Sequence, residues 1–196
     1  MRETVVIIGD SPFLGEVDDR IQYVVERYPS IGINNALTKY NVQMHAFQDA
    51  KFIKMTNRYP DVKTLTLYMY GDLIQKANRE TYDSYSFNFK INTEKDILLG
   101  GKLAWCGFTH DYVISYCIMK GYKNIILIGA ADFIGNKHYL TDEEFKYAEK
   151  LKLMSKRFIE EVCTKRASIL TCNPESILSI PRIDIKELLE KDFQNL

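Results

Sequence analysis

Thr4-Val5-Val6-Ile7-Ile8-Gly9-Asp10-Ser11-Pro12 is an apolar, β-branched run that stops at glycine and turns polar. Asn124-Ile125-Ile126-Leu127-Ile128-Gly129-Ala130-Ala131-Asp132 repeats the pattern late in the chain. A run that is apolar at nearly every position predicts a strand buried on both faces, the habit of parallel sheets covered by helices. In open sheets of this kind, ligands bind beyond the carboxyl ends of the strands. Gly9, Asp10, Ser11 and Asp132 therefore stand where chemistry is expected.

Outward from these landmarks the chain alternates. Glu16–Tyr28 carries Val17, Ile21, Val24 and Val25 at helical spacing, closed by Pro29. Strands are predicted over 30–33, 42–47, 64–69 and 168–172, and helices over 50–58, 111–120, 141–164 and 183–193. Residues 81–91 alternate polar with aromatic or apolar side chains, which predicts an exposed or edge strand. Gly100, Gly101 and Gly107 predict a flexible loop able to approach a ligand, and Thr109 a helix N-cap after it. Gly121 ends the following helix. The alternation predicts a Rossmann-like three-layer α/β/α sandwich with a mostly parallel sheet. A length of 196 residues suits one domain over 1–196, with room for a small insertion at 81–101.

Lys and Arg total 26, as do Asp and Glu, so no basic excess points to nucleic acid. No apolar run nears the roughly 18–20 residues of a membrane span. The chain enters its first strand almost at once, so no secretory leader is expected and a cytoplasmic location is. Four cysteines without a Cys-x-x-Cys pair, and three scattered histidines, give no zinc spacing. Two of the cysteines lie on apolar helical faces and read as buried free thiols. Composition leaves the oligomeric state open, a homo-oligomer included.

The first loop lacks Gly-x-Gly-x-x-Gly and Gly-Lys-Ser/Thr, which argues against a dinucleotide fingerprint and a P-loop. Its backbone amides still suit a phosphate or ribose. Asn34-Asn35 and Gln48-Asp49 end two further strands. A side-chain amide there reads a base or sugar by donating and accepting at once, or makes an Asx turn. Thr109-His110 opens a helix whose free amides favour a phosphate. Asp111 in that first turn repels an anion, so a purely structural cap competes. Asp132 suits a ribose hydroxyl or a metal-bridged phosphate, or a plain turn. His138, beside Tyr139, is a general-base candidate near neutral pH, or a surface histidine. Asn173-Pro174-Glu175-Ser176 ends the last strand, to cover a base or ribose or to form a turn.

Together these blocks resemble the bacterial lipooligosaccharide sialyltransferases of glycosyltransferase family 42. They also resemble the wider group holding motility accessory factors and 6-hydroxymethylpterin pyrophosphokinase-like proteins. The resemblance rests on the Gly9-x-x-Pro12 loop, Asn34, and the Thr109 helix closed by Gly121-Tyr122. It continues through Ile125-x-Leu127-x-Gly129-x-x-Asp132-Phe133 and Cys172-Asn173-Pro174-x-Ser176-x-Leu178. It implies a nucleotide-sugar-dependent glycosyltransferase acting on a saccharide or other hydroxyl acceptor. The CMP part of the donor would fall on Gly9, Asp10, Ser11 and Asn34. Other donor contacts would fall on Thr109 and His110, where the family has Ser-Gly, and on Asp132, Asn173, Pro174 and Ser176. The strand-end pair Gln48 and Asp49 joins this donor set by its position. His138 would be the catalytic base, with Asp132 as its substitute, under a lid much reduced from the family's. No resident metal or cofactor is implied, the nucleotide sugar being substrate. The pterin branch instead implies Mg²⁺-dependent nucleotide transfer through Asp10, Asp49 and Asp132. A third expectation is a nucleotide- or sugar-binding accessory protein without catalysis.

Overall fold

In the computed structural model, residues 4–75, 78–133 and 149–190 are described. In chain order the elements are β1 (Thr4–Ile8), α1 (Leu14–Arg27), β2 (Ser30–Ile33), β3 (Met44–Ala46) and α2 (Ile53–Thr56). Next come β4 (Lys63–Thr66), β5 (Arg79–Thr81), β6 (Ser84–Ser86), β7 (Leu98–Leu99) and β8 (Lys102–Trp105). The last are α3 (Thr109–Met119), β9 (Asn124–Ile128), α4 (Glu149–Glu161), β10 (Ser168–Thr171) and α5 (Ile185–Glu190).

The apolar runs are explained by where their side chains go. Val5 and Ile7 of β1 enter one core, and Val6 and Ile8 enter the other. In β9, Ile125 and Leu127 divide from Ile126 and Ile128 in the same way. Successive side chains of a strand face opposite ways, so a strand covered on both sides must be apolar at each position. Helices α1 and α5 supply Leu14, Val17, Ile21 and Leu188 to one side. Helices α3 and α4 supply Tyr112, Val113, Phe158 and Ile159 to the other.

The sheet has seven parallel strands in the order β10-β9-β1-β2-β3-β4-β5. This is a Rossmann-like three-layer α/β sandwich. From β1 the chain steps outward to β5, then returns to lay β9 against the free side of β1. Thr4 pairs with Asn124 and Ile8 with Ile128. The order reverses between β1 and β9, so the two landmark strands flank the switch point where such folds bind ligands.

Strands β6, β8 and β7 form a separate small sheet, joined to α4 by Phe87 against Phe158 at 5.0 Å between ring centroids. Gly100 and Gly101, expected in a ligand-approaching loop, instead form the two-residue turn between β7 and β8. Their φ values are +57° and +78°, and no atom lies near enough to contact an added Cβ. Only Gly107 of that glycine set borders a cleft. Residues 81–91 are not one strand. Thr81 ends the outermost strand of the main sheet, and Ser84–Ser86 joins the small one. The helix predicted over 50–58 is a 3-10 turn followed by the single turn of α2. Of the helix predicted over 141–164, residues 141–148 lie outside the described residues, as does 134–148 as a whole, where the reduced lid was expected. Among the described residues no helix is long and apolar enough to cross a membrane.

At the switch point the backbones of the two loops touch. Gly9 N donates to Ile128 O, and Asp10 N and Ser11 N both donate to Gly129 O, each at 3.0 Å. A Cβ on Gly9 would sit 2.2 Å from Gly129 O and 2.7 Å from Ala130 Cα. Gly129 has φ +63°, and its Cβ would meet Leu14 Cδ2 at 2.6 Å. Gly9→Ala is expected to lower stability by about 3 kcal/mol or more, because the obstructing atoms are backbone and cannot rotate away. Gly100→Ala, at φ +57° but in open space, is expected to lose about 1–2 kcal/mol. Urea unfolding of both variants checks the ranking, and equal losses would refute the close-approach account.

Candidate functional site

Beyond the sheet's carboxyl ends the site forms in two connected parts. The first grows from β2 and β3. Asn34 follows β2 with φ +52°, a left-handed conformation that asparagine tolerates better than most residues. Its carbonyl oxygen lies 2.7 Å from Nε2 of His45, which is fully buried in β3. A carbonyl can only accept, so His45 carries its proton on Nε2 and fixes the turn that presents Asn34. Gln48 and Asp49 follow β3, and Asp49 Oδ1 caps its own 3-10 turn by accepting from Lys51 N at 3.1 Å. With Thr109 at the start of α3, these residues line a cleft of about 320 Å³. Trp105 and Phe52 add aromatic walls, and Ser84 a hydroxyl. Asn34 Oδ1 and Gln48 Oε1 are shielded from solvent and have no hydrogen-bond partner among the described residues. Buried polar atoms are normally paired, so two amide oxygens left without a partner on residues that line one cleft single it out as the candidate site.

The second part sits at the switch point. Ser11 Oγ donates to Asp132 Oδ2 at 2.7 Å, and Asn35 Nδ2 donates to Asp10 Oδ2 at 3.0 Å. Asn35 also lines the cleft, so it joins the two parts. Asp132 is 1% exposed, and its Oδ1 has no partner within hydrogen-bond geometry among the described residues. Burial pushes its pKa up, and the polar side chains of Ser11, Asn173, Thr171 and Ser176 around it pull the other way. The backbone flanking it is strained: Ala131 and Phe133 have φ +59° and +55°. Each such residue costs on the order of 1 kcal/mol or more, and strain of this kind gathers at functional sites.

Asn173 and Ser176 are buried beside Asp132 and also build the turn after β10. Asn173 Oδ1 accepts from Glu175 N at 2.9 Å, and Ser176 Oγ from Leu178 N at 3.3 Å. Their turn role and their place around the carboxylate coexist. Pro174 is exposed at the turn's tip. Gly9 keeps the two loops in contact and has no side chain to offer. His138 lies outside the described residues.

The start of α3 departs from its reading in sequence. Phe108, not Thr109, is the N-cap residue, and Thr109 is the first helical residue. Capping comes from Asp111, whose Oδ2 accepts from Cys106 N at 3.1 Å and Phe108 N at 3.3 Å. Ser155 Oγ of α4 donates to Asp111 Oδ1, so that hydroxyl accepts from His110 Nε2, 3.0 Å away. The His110 ring stacks on Phe108 at 5.1 Å and meets Phe133 edge-on at 5.2 Å. His110 is not among the residues lining the cleft; its Nε2 pins α3 to α4. Asp111 is turned inward among its donors, which answers the anion-repulsion argument at the mouth of the helix.

Among the described residues, no group of three or more His, Cys, Asp and Glu side chains gathers in a way that would hold a metal. Sequence reading passed over Trp105, Phe52 and Ser84. The lone tryptophan beside a glycine-rich stretch was the one available signal. Comparisons with protein-family models, with curated proteins and with solved structures return no match.

The His110 and Asp111 pair gives a pH signature. Burial pushes His110 down to about 3, so the stability it contributes is present above its unfolded value of 6.5 and is lost as pH falls toward 3. Burial pushes Asp111 up to about 7 against hydrogen bonds from Ser155, Cys106 and Phe108. Its contribution is present below its unfolded value of 3.8 and is lost as pH rises toward 7. The two oppose each other between those unfolded values. Relative to the unmodified protein, Asp111→Asn should lose more stability on acidification across that window, and His110→Phe less. Urea unfolding at stepped pH measures both, and parallel curves would refute the pairing.

Proposed function

We propose that this chain is a nucleotide-sugar-dependent glycosyltransferase of sialyltransferase-like fold. The observation that carries the reading is the cleft beside the switch point, lined by Trp105 and by Asn34 and Gln48, whose amide oxygens have no partner among the described residues. Amides that donate and accept, next to an aromatic face, suit a base or a sugar. The sequence islands that resemble the sialyltransferases supply the reaction class. In that reaction the acceptor hydroxyl oxygen bonds to the anomeric carbon while the nucleotide phosphate departs with the bonding electron pair. Asp132 takes the hydroxyl proton, a role its raised pKa favours, unless His138 does so. Backbone amides at the start of α3 face the phosphate charge, since those of Gly9, Asp10 and Ser11 are spent on Ile128 O and Gly129 O. The reading requires no resident metal, and the nucleotide sugar is substrate.

One observation favours a second reading, binding without catalysis: the Asp132 carboxylate is almost wholly buried. The Mg²⁺-dependent alternative has less support. Asp10 is bonded to Asn35 and Asp132 to Ser11 rather than gathered with Asp49 into one cluster.

Trp105 is the only tryptophan and lines the cleft, so its fluorescence reports occupancy. Titration with CMP, UDP, GDP and ATP and their sugar conjugates, with and without Mg²⁺, should give a saturable change for at least one. Asn34→Ala and Gln48→Ala should each weaken it roughly threefold to tenfold, the value of one hydrogen bond. No saturable change with any of them would overturn the nucleotide reading. Binding without a glycosylated product in mass spectrometry would select the second reading, and loss of turnover in EDTA the Mg²⁺-dependent one.

A further inference from the structure

Along one wall of the cleft, every second residue lines it: Trp105, Gly107 and Thr109. Between them, the amides of Cys106 and Phe108 turn inward, and both donate to Asp111 Oδ2, at 3.1 Å and 3.3 Å. Capping α3 calls only for the bond from Phe108, its N-cap residue. The bond from Cys106 reaches back beyond the helix and fixes the loop itself. A Ser, Thr, Asp or Asn at the N-cap would cap the helix at the surface. Here the cap is instead a carboxylate with 0% exposure, which is costly unless its oxygens are well supplied with donors. The other oxygen, Oδ1, is supplied from α4 by Ser155 Oγ, which is buried as well. Helix α4 touches the loop a second time, one turn earlier on the same face: a Cβ on Gly107 would lie 3.1 Å from Leu151 Cδ2. Phe158 and Ile159 seat α4 in the core, and Lys156 Nζ ties it to Ile177 O.

We propose that Asp111 and Ser155 are positioning residues of the cleft, through which α4 sets the wall formed by Trp105, Gly107 and Thr109. Neither residue lines the cleft, so both act through the loop and not on an occupant. Two amides on one carboxylate oxygen fix the backbone on either side of Gly107, the residue least able to hold a conformation of its own. The second carboxylate oxygen is held by a different element, so the loop, α3 and α4 keep one arrangement. Without the Ser155 hydroxyl, Oδ1 loses its donor inside the protein, a buried acceptor is left short, and the loop is released from α4. The wall is set in this way whether the cleft takes a nucleotide sugar or another ligand, so the role stands apart from the glycosyltransferase reading.

Two readouts on the intact, folded chain test the proposal: amide hydrogen exchange at Cys106 and Phe108, and acrylamide quenching of Trp105, the only tryptophan. Ser155→Ala touches neither amide, yet it should speed exchange at both by roughly threefold to tenfold, the value of one hydrogen bond. It should also raise the quenching constant of Trp105. Asp111→Ala should do both more strongly. Asp111→Asn can turn its amide oxygen to the two backbone amides and donate from Nδ2 to Ser155 Oγ, so it should restore both readouts toward native values. Val113→Ala removes core volume from the same helix and should change neither. Ser155→Ala decides the matter alone should Asp111→Ala fold poorly. Native values of either readout in Ser155→Ala, or an equal change in Val113→Ala, would overturn the proposal, as would Asp111→Asn behaving as Asp111→Ala does.

Discussion

Two backbone turns meet where β1 and β9 end, and they meet only because neither Gly9 nor Gly129 carries a side chain. Gly129 O accepts from two successive amides of the opposite loop, so the contact is a hydrogen-bonded crossing rather than loose packing. Everything at the switch point is indexed to it. It brings Ser11 within 2.7 Å of Asp132, residues 121 positions apart in the chain. It also sets Asp10 against Asn35, and through Asn35 the crossing is tied to the cleft over β2 and β3. The strained φ values at Ala131 and Phe133 are held by the same arrangement, because the chain must turn sharply just after the contact.

Helix α3 is the second constraint. Asp111 through Cys117 are all buried, so its polar groups must find partners inside the protein. Ser115 Oγ donates to Ala104 O at 2.8 Å, and the Tyr112 hydroxyl lies 2.9 Å from the carbonyls of Thr66 and Tyr82. These bonds join the main sheet, the small sheet and the helix. The small sheet is therefore anchored by specific acceptors as well as by apolar contact, and Trp105 reaches the cleft from that anchored platform.

Legibility in the sequence followed the range of the interaction. β1 and β9 were readable because burial on both faces leaves a continuous apolar run. β4 was predicted too long because apolar residues continue past its last ladder bond: Leu67 borders the cleft, and Tyr68 and Met69 are exposed. Phe47 likewise extended the β3 prediction, because it is buried among aromatic rings outside the strand. Asn34, Gln48, Asp132 and Asn173 were findable because strand ends are predictable and ligands gather there. The capping role of Asp111 was half legible. Its first-turn position was visible, but its tie to Ser155 spans 44 residues and needs the fold. Gly100-Gly101 misled because a hairpin turn and a ligand-approaching loop demand the same freedom of φ. Trp105 and Phe52 carry no local pattern, since only the closing of the small sheet over the main one makes them walls of one cleft.

Helix α3 also relates the cleft to a smaller cavity, of about 190 Å³, at the opposite end of the sheet. Thr109 borders the cleft at the carboxyl end of the sheet, and Tyr116 borders the cavity at the amino end. Seven residues of helix separate them, about 10 Å of rise. Over that length the helix is enclosed on all sides and fixed at both ends, by the aromatic contacts of Phe108, His110 and Phe133 and by the Lys120–Glu80 pair. A helix held in this way cannot slide to accommodate a ligand at one end without disturbing the contacts at the other. Both cavities must therefore be shaped largely by side chains already in place. That demand agrees with the amide oxygens of Asn34 and Gln48, positioned by the fold and left without protein partners among the described residues.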